Sequence, residues 1–286
     1  MSDQTYDAQR INREQRQFWD DAAPGWKQMW SMLERAGQPV SDRLVELARV
    51  GPGNRVLDIA TGSGEPGLTA ARKVGAGGLV VATDQSPAML DLARERAAAL
   101  GLHNVKFVAT GAEELAVGES GFDAALCRWG LMFVGDLDAT VRRIAQLLAP
   151  GGRLATAVWG PADKVPMISL GDDAVRELAQ LPPPPPGAPG PLKLADTGPL
   201  QRALNAAGFK EVRIDPINVR FEFPSAQAFA EQRRAVSSPF RAMLSKLPPE
   251  LQQRILDALA GAARRFADAS GVVRMDNEAI LVAAHL

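Results

Sequence analysis

Two acidic residues accompany a glycine-rich turn in the first third of the chain. The segment from Val56 to Gly67, VLDIATGSGEPG, leads from an apolar run through closely spaced glycines into an alanine-rich stretch. Gly62 and Gly64 can adopt positive φ and bring bare backbone against a ligand, and the amides that open the next helix can hold an anionic group. Asp58 lies four residues before Gly62, and Asp84 ends the next apolar run. The pattern predicts a strand–turn–helix ligand site with carboxylates beside it.

The glycine spacing alone fits more than one ligand. Gly62-x-Gly64-x-x-Gly67, followed by Asp84, also matches the turn that binds the pyrophosphate of dinucleotides. Asp58 would repel a pyrophosphate over this turn, whereas it would stabilise a cationic ligand. From these residues, an NAD(P)-dependent oxidoreductase and a non-catalytic cofactor-binding regulatory module both remain alternatives.

The elements that must position the turn follow a βαβ rhythm. Apolar runs predict strands at Arg55–Ala60, Leu79–Asp84, Val105–Ala109, Phe122–Cys127 and Arg153–Trp159. Amphipathic stretches predict helices near Glu65–Val74, Pro87–Leu100 and Asp138–Leu148. Because most of these strands are apolar on both faces, the sheet should be parallel and covered by helices on both sides.

The second half departs from this rhythm. Leu181–Pro191 is rich in proline and predicts an extended loop, interpreted as one edge of a pocket in preference to a polyproline ligand for a partner. A helix near Pro199–Ala207 and a strand near Glu211–Phe223 follow, residues 225–269 are helical, and Ala279–Leu286 is a closing strand.

We expect one domain over residues 1–286. Its predicted parts are an N-terminal helical cap (1–50), a cofactor-binding core (51–160), a proline-rich loop with a helix and a strand (161–224), a helical insertion (225–270) and the final strand (271–286).

Four motifs occur in order at natural spacing. They are Val56–Gly64, Val80–Leu90, Gly111–Leu115, and Phe122–Trp129 followed by Leu148–Arg153. Together they resemble the class I S-adenosylmethionine-dependent methyltransferases, especially the branch that includes ubiquinone and menaquinone biosynthesis enzymes. The resemblance implies an α/β fold with a doubly wound, mostly parallel, Rossmann-like sheet. It also implies a helical cap from the N-terminus and an insertion before an antiparallel last strand.

The resemblance further implies S-adenosylmethionine as cofactor and assigns residues to it. Asp84 is similar to the acid that accepts both ribose hydroxyls, and Met89 to the side chain beside the adenine. Gly111 stands where many relatives have Asp in the loop that borders the adenine. The full predicted cofactor set is Asp58, Ala60, Thr61, Gly62, Gly64, Asp84, Gln85, Met89, Gly111, Ala112, Glu113 and Arg128.

Aromatic side chains are the candidate acceptor contacts. A predicted helix before the sheet carries Phe18, Trp19, Trp26 and Trp30, and it could fold over the cofactor or merely pack on the core. The acceptor contacts we expect are Trp26, Trp30, Trp129 and Met132. The insertion is either an acceptor cap or the face of a homodimer; its apolar residues are Phe229, Phe240, Met243, Leu244 and Phe266.

No catalytic side chain is assigned. Methyl transfer is an in-line displacement, so positioning and water exclusion can supply most of the catalysis. His103 and His285 should lie away from the carboxyl ends of the strands, where ligands bind in such sheets. Cys127 lies within an apolar strand, where a thiol is inert. A general base, if the acceptor needs one, stays unidentified.

Composition narrows the class of protein. The chain has 286 residues, 46% hydrophobic and 23% charged, as expected for a globular protein. A formal charge of -1 gives no global field for nucleic acid, and a single cysteine excludes a disulfide framework and a multi-cysteine metal site, so no metal is expected. Without a secretory signal or membrane span, we expect a cytoplasmic enzyme that methylates O, C or N of a small, largely apolar molecule.

Overall fold

The structure, a computed structural model, describes residues 8–180, 187–236 and 238–286. Residues 181–186, most of the predicted proline-rich loop, lie outside these ranges. No helix within the described ranges combines the length and the apolar character that crossing a bilayer requires.

A seven-stranded sheet forms the centre of the molecule. Its strands are β1 (Arg55–Ile59), β2 (Leu79–Asp84), β3 (Val105–Ala109), β4 (Phe122–Arg128), β5 (Leu148–Trp159), β6 (Lys210–Phe223) and β7 (Val273–His285). The spatial order is β3-β2-β1-β4-β5-β7-β6. Strands β1 to β5 pair in parallel, and β7 pairs antiparallel with β5 and β6. The predicted doubly wound sheet and its antiparallel closing strand are confirmed.

Helices cover the sheet and extend beyond it. They are α1 (Ala8–Leu47), α2 (Gly67–Val74), α3 (Pro87–Ala99), α4 (Leu137–Leu147), α5 (Pro166–Ala179), α6 (Gly198–Ala206), α7 (Ala226–Val236), α8 (Ser238–Leu244) and α9 (Pro249–Ala263). Side-chain caps fix two of their starts: Ser86 Oγ accepts from the amide of Met89 at 3.1 Å, and Asp136 accepts from that of Ala139 at 2.8 Å. Strand order reverses between β1 and β4, which is where ligands bind in such sheets.

Helix α5 is not predicted by the sequence pattern. Gly171 interrupts its helical periodicity, and a mid-helix glycine is unfavourable. The structure supplies the reason for the glycine: an added Cβ would lie 3.2 Å from the ring of Phe240 and 3.3 Å from Nε of Arg233. The glycine therefore lets the helical insertion pack closely against α5.

The apolar residues of the insertion are largely covered by the chain itself. Phe229, Phe240 and Leu244 are at most 1% exposed, and Met243 and Phe266 are half-buried. Because these side chains contribute to the core of the chain, the apolar stripe does not by itself indicate a dimer face.

Candidate functional site

A deep cavity of about 540 Å³ lies at the carboxyl ends of β1, β2, β4 and β5. This volume is within the range of about 300–1,000 Å³ that is typical of small-molecule sites. Its wall combines the turn after β1, the ends of β2 and β4, and residues of α1, α5 and α7. The cavity therefore lies where the sequence places a ligand site.

The glycines of the turn have different roles. Gly62 has φ +55° and lines the cavity, where an added Cβ would meet no atom within 4 Å. Gly64 has φ +111° and is buried, with Leu68 Cδ1 only 2.6 Å from an added Cβ. A Cβ on Gly67 would lie 2.5 Å from Oδ2 of Asp58. Gly62 is thus favoured by its positive φ at the cavity, whereas Gly64 and Gly67 are needed because a side chain at either position would collide with the residues packed beneath the turn.

Asp58 lies beneath the turn and does not line the cavity. Its Oδ2 accepts from the Thr61 hydroxyl at 2.5 Å and from the Gly67 amide at 2.8 Å, while Oδ1 has no hydrogen-bond partner among the described residues. Burial raises the pKa of Asp58 to about 7, and these two hydrogen bonds oppose the shift. The carboxylate can therefore affect a ligand in the cavity through its charge, without contacting it.

Asp84 reaches the cavity directly. Its Oδ1 accepts from the amide of Ser86 and its Oδ2 from that of Gly62, both at 2.9 Å. Burial raises the pKa of Asp84 to about 6, against these hydrogen bonds. Each carboxylate oxygen keeps a second lone pair for a ligand hydroxyl.

Most predicted cofactor residues share this cavity with Asp84. Those that line it are Ala60, Thr61, Gly62, Asp84, Gln85, Met89, Gly111, Ala112, Glu113 and Arg128. Asp58 and Gly64 support the turn from below. Glu113 Oε1 accepts from the amides of Gly135 and Asp136, at 2.6 and 2.9 Å, so it also holds the loop after β4.

A buried charge cluster, which sequence reasoning missed apart from Arg128, borders the turn. Arg96 Nη2 lies 3.0 Å from Glu34 Oε2 and 3.5 Å from Glu65 Oε1, and Arg128 Nη2 lies 3.7 Å from Glu34 Oε1. Glu65 and Arg128 line the cavity. Burial and the negative charge of Glu34 raise the pKa of Glu65. Glu65 directly follows Gly64, and its acidic character is the only sequence signal for it.

The opposite end of the cavity is aromatic. Trp129 stacks on Trp159 with ring centroids 4.3 Å apart, and Phe221, Phe223 and Phe229 continue this wall. Trp129 has φ +61°, a conformation that is unfavourable for a bulky side chain and common at functional sites. Met132 lines the cavity too.

The four predicted acceptor contacts do not all lie together. Trp26 lines the cavity with Trp129 and Met132, and its Nε1 donates to the carbonyl of Val236 at 3.0 Å. Trp30 lies outside the cavity wall, is 43% exposed and packs over the guanidinium of Arg96, 4.8 Å from ring centroid to Cζ. The expectation that Trp30 contacts the acceptor is therefore not supported, because its helix position turns it outward.

Helix α1 closes one side of the cavity. Gln15 Nε2 donates to the carbonyl of Phe133 at 3.1 Å, and Trp19 meets the edge of the Phe133 ring. Asp20 Oδ1 accepts from Ser86 Oγ at 2.6 Å and from the amide of Ala88 at 3.3 Å. The sequence predicts the helix but not these polar contacts, since they join residues far apart in the chain.

The described end of the proline-rich loop lies at the same cavity. Pro191 contributes to its wall, and the amide of Gly190 donates to the carbonyl of Met132 at 3.1 Å. The prolines at 182–186 are outside the described residues.

The two histidines and the cysteine do not line the cavity. His103 is exposed, and His285, opposite Arg153 in the β5–β7 pairing, has Nε2 3.3 Å from Glu211 Oε2. Burial raises the pKa of the Cys127 thiol to about 12, so this thiol is not ionised near neutral pH.

Comparison with known proteins agrees with this geometry. A family model described as a methyltransferase domain matches residues 51–179. The uncharacterized protein Rv1405c of Mycobacterium tuberculosis is 34% identical over 128 residues, which cover 45% of this chain and 45% of that protein. The ubiquinone/menaquinone biosynthesis C-methyltransferase UbiE of Pseudomonas putida is 40% identical over 111 residues, which cover 38% of this chain and 43% of that protein.

The likeness in fold extends further than the likeness in sequence. The [4+2]-cyclase SpnF superposes with a TM-score of 0.61 at 22% identity, over 96% of each chain. The matches to Rv1405c and UbiE cover less than half of this chain and less than half of those proteins.

Proposed function

We propose that this chain, whose residues 51–179 match a methyltransferase domain, is a class I S-adenosylmethionine-dependent methyltransferase that methylates a small, largely apolar molecule. The methylated atom is an O, C or N of that acceptor. The observation that carries the proposal is a single cavity with the glycine turn and its acids at one end and an aromatic wall at the other.

The residues at the first end fit S-adenosylmethionine, the cofactor of the family. Asp84 would accept the ribose hydroxyls, and Met89 and Ala112 would offer apolar surface to the adenine. Glu65 and Arg128 line the cavity as part of a charged cluster, and they suit the ammonium and carboxylate of the methionine part. Asp58 adds a negative charge beneath the turn.

The aromatic end would hold and orient the acceptor. When bound, the cofactor would supply an electrophilic methyl group: a correctly placed acceptor atom would bond to the methyl carbon while the C–S bond breaks and S-adenosylhomocysteine leaves with the electron pair. Walls from α1, α7 and β4 exclude water, and positioning of the two reactants can contribute about 7–11 kcal/mol to lowering the barrier. The acids that line the described cavity lie at its cofactor end: Asp84 at the end of β2, Glu65 in the glycine turn, and Glu113 and Glu114 in the loop after β3.

Calorimetry with S-adenosylhomocysteine tests the cofactor assignment. We expect binding at micromolar strength and no binding of NAD or NADP; the opposite result would support the oxidoreductase alternative. Asp84→Asn should weaken the binding at least tenfold, about 1.4 kcal/mol, because an amide has one acceptor oxygen where the carboxylate has two. The matched control is Asp123→Asn, since Asp123 also accepts from a backbone amide, that of Arg55 at 2.8 Å, but at the amino ends of the strands, away from the cavity.

Turnover is tested with a panel of quinol, phenol and amine acceptors and labelled S-adenosylmethionine. Methylated product from at least one apolar acceptor is expected. A protein that binds the cofactor but methylates none of them would favour the regulatory module.

A further inference from the structure

A buried arginine belongs to the wall of the aromatic end. Arg233, on α7, is 8% exposed and lines the cavity together with Phe223 and Phe229. Its neighbour Arg234, by contrast, is exposed. A guanidinium is rarely buried unless its donors are paired.

The donors of Arg233 are poorly paired. Its Nη2 lies 3.6 Å from Asp172 Oδ1 and 3.5 Å from the carbonyl of Ile168, both long contacts. Its Nε is buried and has no hydrogen-bond partner among the described residues. Burial lowers the pKa of Arg233 and raises that of Asp172, so this ion pair only partly offsets the cost of burying its charges. The site would gain from a second anion.

The neighbouring helices make room for this guanidinium. An added Cβ on Gly171 of α5 would lie 3.3 Å from Nε of Arg233, tighter than ordinary contact. On the other side, the ring of Phe240 lies 5.4 Å from the guanidinium carbon, measured to the ring centroid. Gly171 and Phe240 together keep the charged group in the wall of the cavity and away from solvent.

The carboxylates are unevenly distributed along the cavity wall. They lie at the end of β2 (Asp84), in the glycine turn (Glu65) and in the loop after β3 (Glu113 and Glu114), and Arg128 accompanies them. The aromatic surfaces of Trp159, Phe221, Phe223 and Phe229 accompany Arg233. A cation among aromatic walls suits a flat, apolar molecule that carries negative charge.

From this arrangement we propose that the acceptor bears an anionic oxygen, as a phenolate, enolate or carboxylate does, and that Arg233 binds it. This inference rests on the proposed methyl transfer and specifies the class of acceptor. A charge-assisted hydrogen bond in a dry pocket is strong, and a neutral analogue would leave the guanidinium underpaired. Arg233 is a specificity-determining residue in this proposal, and the atom that is methylated is not assigned.

Matched ligand pairs test the proposal without any substitution. Tryptophan fluorescence, to which Trp19, Trp26, Trp129 and Trp159 of the cavity wall contribute, would follow binding to the protein saturated with S-adenosylhomocysteine. The probes are naphthoate with its methyl ester, an acidic nitronaphthol with its methyl ether, and naphthylamine. We expect at least one of the two acids to bind tenfold or more tightly than its neutral partner. Equal binding within both pairs, tighter binding of the amine, or no binding of any probe would overturn the proposal.

Substitutions locate the effect. Arg233→Gln should reduce the preference for the acid to less than threefold while S-adenosylhomocysteine binds as before, and Arg233→Lys should keep part of the preference. Arg234→Gln removes the same charge from the exposed side of α7 and should change neither quantity. Because Arg233→Gln leaves Asp172 unpaired, the double variant Asp172→Asn/Arg233→Gln gives a folded reference if the single variant is unstable.

The methyltransferase function and the role of Arg233 would be contradicted by different results. Loss of S-adenosylhomocysteine binding in the unmodified protein would contradict the methyltransferase function. Normal cofactor binding with a preference for acids that survives Arg233→Gln would contradict only the role of Arg233.

Discussion

Asp58 is positioned to respond to the charge of the cofactor. S-adenosylmethionine carries a sulfonium that S-adenosylhomocysteine lacks, and Asp58 lies beneath the turn with a pKa raised by burial to about 7. A nearby positive charge favours the ionised carboxylate and lowers its pKa, so binding should release a proton. The affinity for S-adenosylmethionine should accordingly rise with pH up to about 7.

The predicted proton release is measurable by calorimetry in phosphate and Tris buffers at pH 7. About half a proton should leave on binding of S-adenosylmethionine, because a group with a pKa near the working pH is about half protonated. Release should be smaller with S-adenosylhomocysteine, and Asp58→Asn should remove the difference between the two ligands. Equal release by both ligands in the unmodified protein would show that Asp58 does not sense the sulfonium.

The stability of the ligand-free protein should change with pH in the opposite direction. The pKa of Asp58 in the folded state, about 7, exceeds its ordinary value of 3.8, so between these values the folded state binds more protons than the unfolded state. The contribution of Asp58 to stability is therefore largest at low pH and is lost as pH rises to about 7. At neutral pH the ionisation of Asp58 thus lowers the stability of the ligand-free protein, and a bound cation offsets this loss.

Asp20 connects helix α1 to the cofactor-binding core. Its Oδ1 accepts from Ser86 Oγ and from the amide of Ala88, at the start of α3. Asp20→Asn should loosen this contact at a cost of about 1 kcal/mol, because the interaction resembles a helix cap. We expect about fivefold weaker S-adenosylhomocysteine binding and faster hydrogen exchange in the first half of α1.

The neighbouring residue provides the control for this prediction. Asp21 is exposed and accepts only from Gln17 of its own helix among the described residues, at 2.8 Å. Asp21→Asn should therefore leave both measurements almost unchanged. If the two variants behave alike, α1 is held by its apolar contacts alone.

The parts of the structure that the sequence predicts are those governed by local pattern. Runs of apolar residues locate β1 to β5, and the glycine turn with Asp84 locates the site. Contacts between distant elements leave no such pattern. Asp20 reaches α3, Arg233 is buried against α5, and Gly171 obscures the helical period of α5 because packing with Phe240 requires it. Trp30 shows the converse, an aromatic residue that faces outward.

The contact between α1 and α7 should control access to the cavity. A Cβ on Gly25 would lie only 2.3 Å from the carbonyl oxygen of Ala235, and backbone cannot move aside as a flexible side chain can. Gly25→Ala should therefore lower the free energy of unfolding by about 1–3 kcal/mol and speed the release of S-adenosylhomocysteine, despite the better helix propensity of alanine.

Gly261→Ala is the matched control, since that glycine in α9 is exposed and has open space around it. It should raise the free energy of unfolding by about 0.5–1 kcal/mol and leave ligand release unchanged. Denaturant unfolding and stopped-flow ligand displacement measure both quantities, and a Gly25→Ala variant that is stabilised like Gly261→Ala would contradict a close α1–α7 contact over the site.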